Sequence, residues 1–217
     1  MASLEPNDLT EADVQVFFDR ANGLDGQKAM LDLYHDWSDV YDGTIERFGR
    51  YLSPDRIAAA VAARCLDRDA TIVDVACGTG LVGQALARHG FHRLTGVDLS
   101  EPMLEQAERK GCYATLVTAD LAGPTDLGRF AVVVSAGVLT MGHLGAAAFT
   151  SMVGLMDRGG IIMVDIEGGT FAAQGFSRLL DASVSQGTLA GYELSEGHFY
   201  EPGPAEPAHG YFLTGWR

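Results

Sequence analysis

The chain has 217 residues, 47% hydrophobic and 20% charged, which is enough for one domain with a sizeable buried core. A formal net charge of -14 at pH 7 and a pI near 4.6 argue against nucleic acid as the main partner, because phosphate binding needs a basic face. No apolar run approaches the roughly 20 residues that a bilayer span requires, so no membrane partner is expected.

The N-terminus, Met1-Ala-Ser-Leu-Glu-Pro-Asn-Asp8, is acidic and polar and lacks the regions of a signal peptide. Cys65, Cys77 and Cys112 are odd in number and read as reduced thiols, neither a disulfide frame nor a zinc site. A cytoplasmic location follows, with no metal expected.

Residues 8–33 read as helical. Asp8 or Thr10 suits a cap for Val14, Phe17 and Phe18, and Ala29, Leu31 and Leu33 extend a second helix after Asn22-Gly23. The segment Tyr34-His-Asp-Trp-Ser-Asp-Val-Tyr-Asp42 mixes aromatics and acids with no clean period. Pro54 opens an alanine-rich helix, Asp55–Leu66.

From residue 71 onward strand and helix patterns alternate. The strands are Thr71–Ala76, Arg93–Val97, Tyr113–Thr118, Ala131–Ser135 and Gly160–Ile166. The helices are Leu81–His89, Glu101–Lys110 (capped by Ser100) and Ala146–Met156. This alternation means a parallel sheet with helices on both faces. Phe171–Val184 reads as one more helix. Tyr192–Tyr200 and Tyr211–Trp216 read as two strands flanking a proline- and glycine-rich loop, an antiparallel hairpin at the sheet edge. The expected fold is α/β and Rossmann-like. Residues 1–53 form an N-terminal helical lid segment on a nucleoside-binding domain, 54–217, within one structural domain overall.

The richest stretch is Thr71-Ile-Val-Asp-Val-Ala-Cys-Gly-Thr-Gly-Leu-Val-Gly83, a strand running into a glycine turn and a helix start. Gly78 and Gly80 carry no Cβ, so the backbone can approach a nucleotide closely. Gly78-Thr-Gly-Leu-Val-Gly83 also satisfies the dinucleotide fingerprint, with Asp98 twenty residues past Gly78, so NAD is a competitor. Three acids favour a cationic nucleoside, S-adenosylmethionine (SAM). Asp74 would repel a pyrophosphate but suits an ammonium and a sulfonium. Asp98 ends the next strand, where its two oxygens can accept both ribose hydroxyls. Asp120 follows the third strand, where a carboxylate can accept the adenine amino group. Asp98 also suits a turn cap and Asp120 a plain loop acid.

Asp74-Val-Ala-Cys-Gly-Thr-Gly80, Gly96-Val-Asp98-Leu-Ser100 with Met103-Leu104, and Asp120-Leu121 resemble the motifs of class I SAM-dependent methyltransferases. The similarity extends to the Williams-Beuren syndrome region methyltransferase-like subgroup. It rests on Tyr34-His-Asp-Trp37-Ser-Asp-Val-Tyr41-Asp42, Leu81-Val82, Met103-Leu-Glu-Gln-Ala107 and Lys110-Gly111-x-Tyr113. It covers roughly residues 34–168. The resemblance implies a seven-stranded sheet with a reversed final strand, SAM as cofactor and S-adenosylhomocysteine (SAH) as product. It places Gly78 and Gly80 along the methionine moiety, with Ala76, Thr79 and Ser135 in the same cofactor set. Asp98 holds the ribose, Met103 or Leu99 packs on the adenine, Asp120 and the Leu121 N–H meet its edge, and Tyr41 closes over the carboxylate end. One departure is Phe130-Ala131, where the family often has Phe-Asp.

Methyl transfer from a sulfonium is an in-line displacement that mainly needs alignment and exclusion of water. A general base is needed only for an acceptor that holds a proton. His143, after the fourth strand, suits that base and equally suits a loop or helix cap. Asp165 and Glu167, at the end of the fifth strand, can bind a cationic acceptor, act as base, or cap a turn. His35, Trp37 and Tyr41 suit a lid over the sulfonium by cation–π contact, or a hydrophobic brace. His198, with Tyr200, faces the substrate cavity or simply alternates along a strand. The expected acceptor is a small molecule, oxygen or nitrogen ahead of carbon or sulfur, and the expected assembly is a monomer or homodimer. Two further readings stand beside it: a SAM-binding enzyme of different chemistry, such as a cyclase, and a non-catalytic binding subunit.

Overall fold

The computed structural model describes residues 27–49, 51–120, 126–140, 144–201 and 209–217. Seven strands among the described residues form one sheet: β1 (Ile72–Val75), β2 (Leu94–Asp98), β3 (Thr115–Thr118), β4 (Phe130–Leu139), β5 (Met156–Glu167), β6 (Gly191–His198) and β7 (His209–Trp216). Their spatial order is β3-β2-β1-β4-β5-β7-β6. β1 to β5 run parallel, and β7 is antiparallel to both β5 and β6. The architecture is the Rossmann-like, mostly parallel sheet with an antiparallel C-terminal hairpin read from the alternation. The last strand slots between β5 and β6, so β6 forms the edge.

β1 is buried along its whole length, as expected of a parallel strand covered on both faces. Its alternation divides the core. Ile72 packs with Ile57 and Leu86 under α3 (Ser53–Arg64) and α4 (Leu81–Arg88). Val73 and Val75 pack with Phe149 and Leu180 under α6 (Ala146–Gly154) and α8 (Phe176–Ser185). α5 (Glu101–Lys110) lies against β2 and β3. Ser100 caps it by accepting from the Met103 N–H, and Gly111, at φ 63°, ends it. Among the described residues no helix is long and apolar enough to cross a membrane.

Three regions differ from the sequence expectation. The segment around residues 34–42 is helical: α1 (Gln27–Trp37) runs through it and α2 (Tyr41–Gly49) follows after a short turn. Its period is hidden because the turn at Ser38–Val40 breaks one pattern into two. The helix expected over Phe171–Val184 is two helices, α7 (Gly168–Ala173) and α8, parted where Gly175 adopts φ 67°. β4 continues to Leu139 through a register shift after Ser135. The helix expected before residue 27 and most of the loop between β6 and β7 lie outside the described residues.

α1 and α2 meet around Trp37 and Val40, with Tyr34 and Tyr41 packed against them. Their ties run to carboxyl ends of strands: Asp42 to Thr79 after β1, and Asp39 to Gln106 on α5. Tyr51, just past α2, forms a β-bridge with Tyr200 after β6. The N-terminal helices therefore lie across the crevice where ligands bind in open α/β sheets.

Candidate active site

The glycine turn leaves β1 at its carboxyl end. Gly78 (φ 53°) has nothing within 4 Å of where a Cβ would sit, so its backbone borders open space. Its N–H donates to Asp98 Oδ2 at 2.8 Å, and the Ser100 N–H donates to Asp98 Oδ1 at 2.9 Å. Burial pushes the Asp98 carboxyl above its ordinary pKa, against these backbone bonds that favour the charge. Each carboxylate oxygen retains a second lone pair for a hydroxyl. Ala76 holds φ 53°, a left-handed conformation that strains a residue with a Cβ.

Asp74 sits differently from the other two acids. It is 1% exposed and lies beneath the turn, on the face of β1 covered by α4. The Tyr113 hydroxyl donates to its Oδ2 at 2.6 Å, while Oδ1 is buried without a hydrogen-bond partner. Burial pushes its pKa up to about 7, against the Tyr113 bond. The Tyr113 ring fits because Gly83 offers no Cβ; one built there would lie 2.3 Å from the ring. Asp74 therefore meets the loop from within the core, still near enough to Asp98 for the Asp98 charge to add to its raised pKa.

A polar clasp joins the N-terminal helices to the loop. The Thr79 hydroxyl donates to Asp42 Oδ1 at 2.5 Å. Lys110 donates to Asp42 Oδ2 and to the Thr79 carbonyl, the latter at 2.6 Å. The lysine side chain is 13% exposed, so this ion pair is shielded and worth more than a surface pair.

The second half of the site lies at the ends of β4 and β5. Asp165 is 2% exposed. Its Oδ1 accepts from the Gly137 N–H at 2.7 Å and its Oδ2 from the Tyr51 hydroxyl at 3.5 Å. Burial pushes its pKa up to about 6. Gly137 stands at φ 71°, and a Cβ there would lie 2.4 Å from the Tyr51 hydroxyl, so the β4 irregularity depends on glycine. Tyr51 and Tyr200 stack at 5.0 Å.

The remaining expected residues divide by position. Met103 is buried at the start of α5, Leu99 is half-buried, and Asp120 is exposed just beyond β3. Gly80 (φ 91°) opens α4 with Tyr113 and Ala107 packed where a side chain would stand. Ser135 is fully buried and donates to the Val75 carbonyl at 2.7 Å, tying β4 to β1. Trp37 is 1% exposed and its indole N–H reaches Thr44 Oγ1 at 3.4 Å, which makes it a brace within the lid. Tyr41 meets it edge-on at 4.9 Å. Glu167 caps α7 through the Gly169 and Thr170 N–H groups. His35 is exposed on α1, and His198 is exposed on β6 beside His209, with ring centroids 5.4 Å apart. Leu121 and His143 lie outside the described residues.

Sequence reasoning gave no role to Asp42, Lys110, Tyr51, Tyr113 or Gly137. Asp42, Lys110 and Tyr113 fall within motif steps already quoted, which was the one available signal. Tyr51 and Gly137 had none, since 86 residues separate them. A cavity of about 630 Å³ lined by Arg129, Asp157, Arg158 and Arg217 opens at the amino ends of β4 and β5, away from this site.

The family model of a methyltransferase domain matches residues 72–160, the stretch from β1 into β5. That stretch is less than half of the chain, and over it the chain is similar to methyltransferase domains, in agreement with the Rossmann-like sheet order. Among known proteins, human (Homo sapiens) methyltransferase-like protein 27 is 35% identical over 150 residues, 66% of this chain and 60% of that protein. EEF1A lysine methyltransferase 2 of Danio rerio is 40% identical over 78 residues, 36% of this chain and 32% of that protein. The match thus spans less than two thirds of either relative. Among solved structures, magnesium protoporphyrin IX methyltransferase from Synechocystis PCC 6803, with bound SAM, superposes with a TM-score of 0.56 at 19% identity over 100% of this chain and 99% of that one. A possible histamine N-methyltransferase from Thermotoga maritima gives 0.57 at 15% identity over 86% and 99%. These two likenesses are likenesses of fold.

Proposed function

We propose that the chain is an enzyme that transfers a methyl group from SAM to a small-molecule acceptor, at oxygen or nitrogen ahead of carbon or sulfur. The observation that carries this reading is the Gly78–Asp98 contact, an open glycine backbone fastened to a strand-end carboxylate whose oxygens keep spare lone pairs. The residues fit the cofactor: Asp98 for the ribose hydroxyls, Gly78 and Gly80 for close backbone approach, Met103 or Leu99 for the adenine face, and Asp120 with Leu121 for its edge. The orphaned Asp74 Oδ1 beneath the turn supplies negative potential toward a cation. Ala76, Thr79 and Ser135 shape the loop.

SAM when bound supplies an activated methyl on a positively charged sulfur. The chain's own residues orient and enclose. Asp42, Thr79 and Lys110 hold the lid against the loop, Trp37 braces it, and Tyr41 covers the crevice. Asp165, with Trp37, His35, Glu167 and His198, is the set proposed to meet the acceptor. His143 is the proposed base for an acceptor that must lose a proton. The lid segment 1–53, the cytoplasmic location, the Williams-Beuren-type subgroup and a monomeric or homodimeric assembly belong to the same reading. The relative named as a lysine methyltransferase favours a second reading, in which the acceptor is a protein side chain.

Calorimetric titration with SAM, SAH and NAD tests the cofactor half. Heat from SAM and SAH and none from NAD supports the reading; heat from NAD alone sinks it. Release of SAH on incubation with mixed acceptors tests the catalytic half, and its absence with every acceptor would leave a binding subunit.

A further inference from the structure

We propose that Asp165, walled by Tyr51 and Tyr200, forms a seat for a cationic nitrogen, so that the acceptor of the proposed methyl transfer is an amine. The inference rests on that reading of function and narrows its substrate class.

Asp165 is a buried carboxylate at the end of β5, on the same side of the sheet as the glycine turn. Among the described residues no lysine, arginine or histidine forms an ion pair with it. The Gly137 N–H donates to it at 2.7 Å and the Tyr51 hydroxyl lies at the limit of contact, 3.5 Å, while the Ser53 side chain and its own backbone also favour its charge; these partners are all neutral. A carboxylate so placed is costly until a cation joins it.

The walls are aromatic. Tyr51 and Tyr200 stack at 5.0 Å with an interplanar angle of 27°. Burial above all, and the Asp165 charge in addition, raise the phenol pKa of Tyr51 and Tyr200. Rings around a carboxylate attract an ammonium by quadrupole and by charge. An alcohol gains neither contribution, and a carboxylic acid substrate would be repelled. Before the nitrogen attacks, its N–H bond breaks, the electron pair stays on nitrogen, and the proton forms an O–H bond on Asp165.

Asp165 also has a structural task, since its bond to Gly137 secures the irregular end of β4. Asp165→Asn separates the two roles. The amide oxygen still accepts from the Gly137 N–H, while the charge is gone. The cofactor sulfonium is the other candidate occupant, and comparing SAM with uncharged SAH reads it out.

The test uses the full chain with tetramethylammonium and tert-butanol, two probes of like shape and different charge. Binding is followed by the fluorescence of Trp37, which touches Tyr41, with and without SAH. The expected result is tetramethylammonium binding at least tenfold tighter than tert-butanol. Asp165→Asn should abolish that preference while the SAH affinity and the SAM-to-SAH affinity ratio stay within the scatter of wild type and Tm is no lower. Should Asp165→Asn not fold, Tyr200→Leu replaces it, with at least a threefold loss of tetramethylammonium affinity expected. Equal binding of the two probes, an undiminished preference in Asp165→Asn, or a changed SAM-to-SAH ratio overturns the amine seat. Failure of SAH to bind instead overturns the proposed function, and the two-probe comparison without SAH remains readable. Labelled methyl from SAM appearing on alcohols or acids, and on no amine in a mixture, also overturns the proposal.

Discussion

The two halves of the crevice are built in opposite ways. The proposed cofactor half comes from neighbouring stretches of chain: Asp74 to Gly83, Asp98 to Met103, and Asp120, each at the end of a strand that pairs with the next. The proposed acceptor half gathers Gly137, Asp165, Tyr51 and Tyr200 from β4, β5 and the bridge after β6. Strand-end loops can specify the first half locally. The second exists only when the N-terminal helices and the C-terminal hairpin have both docked. Asp42 and Lys110 fasten the N-terminal helices to the glycine loop.

The largest expected effect separates the halves most sharply. Gly137→Val places a side chain against the Tyr51 hydroxyl and forces a β-branched residue to φ 71°. A loss of about 3 kcal/mol in urea unfolding is expected, with SAH affinity changed far less than probe binding at Asp165. If SAH affinity falls as far as probe binding, the two halves do not behave separately.

Next is Asp98→Ala, which removes acceptors for the ribose hydroxyls and frees the Gly78 N–H. Two charge-assisted bonds at about 1.5–3 kcal/mol each predict a loss of SAM affinity on the order of 100-fold or more by calorimetry. Unchanged affinity would mean that the ribose lies elsewhere.

The buried acids give a pH signature. Asp74 and Asp165 have native pKa values raised to about 7 and about 6, above the unfolded value near 3.9. The native state therefore binds protons more tightly than the unfolded chain. That contribution is fully present below about pH 4 and is lost as pH rises through about 6 to 7. Asp74→Asn should consequently gain in Tm over wild type at pH 8 and lose that advantage by pH 4, a difference worth a few kcal/mol at most. A Tm difference independent of pH would mean that Asp74 is not a strained carboxylate.

Smaller effects come from the clasp and the loop. Lys110→Met should weaken SAM by roughly fivefold, or about 1 kcal/mol, through looser N-terminal helices, with Tm changed little. Ala76→Gly should raise stability by about 0.5–1 kcal/mol by relieving the left-handed strain, visible in denaturant midpoint.

The cofactor half was the legible half, because a strand, a glycine turn and an acid twenty residues on are fixed by local backbone chemistry. Asp74 shows where this stops. Its spacing suggested a crevice carboxylate, yet strand alternation and the Tyr113 ring put it beneath the turn, and Tyr113 fits only because Gly83 has no side chain. Trp37 and Glu167 were each read two ways; Trp37 is buried among the N-terminal helices and Glu167 caps α7. The β6–β7 hairpin was visible from its turn formers, but not the insertion of β7 between β5 and β6, since edge order is a matter of long-range pairing.

What the sequence by itself determined is the alternating α/β plan, the glycine loop and the Asp98 partner, all set by contacts short in sequence or by side-chain periodicity. Tertiary structure alone decided the Asp42–Thr79–Lys110 clasp, the hidden position of Asp74 and the tyrosine walls around Asp165. Those contacts join residues far apart in the chain, and only the packing energy of the folded sheet and its covering helices holds such distant groups within bonding range.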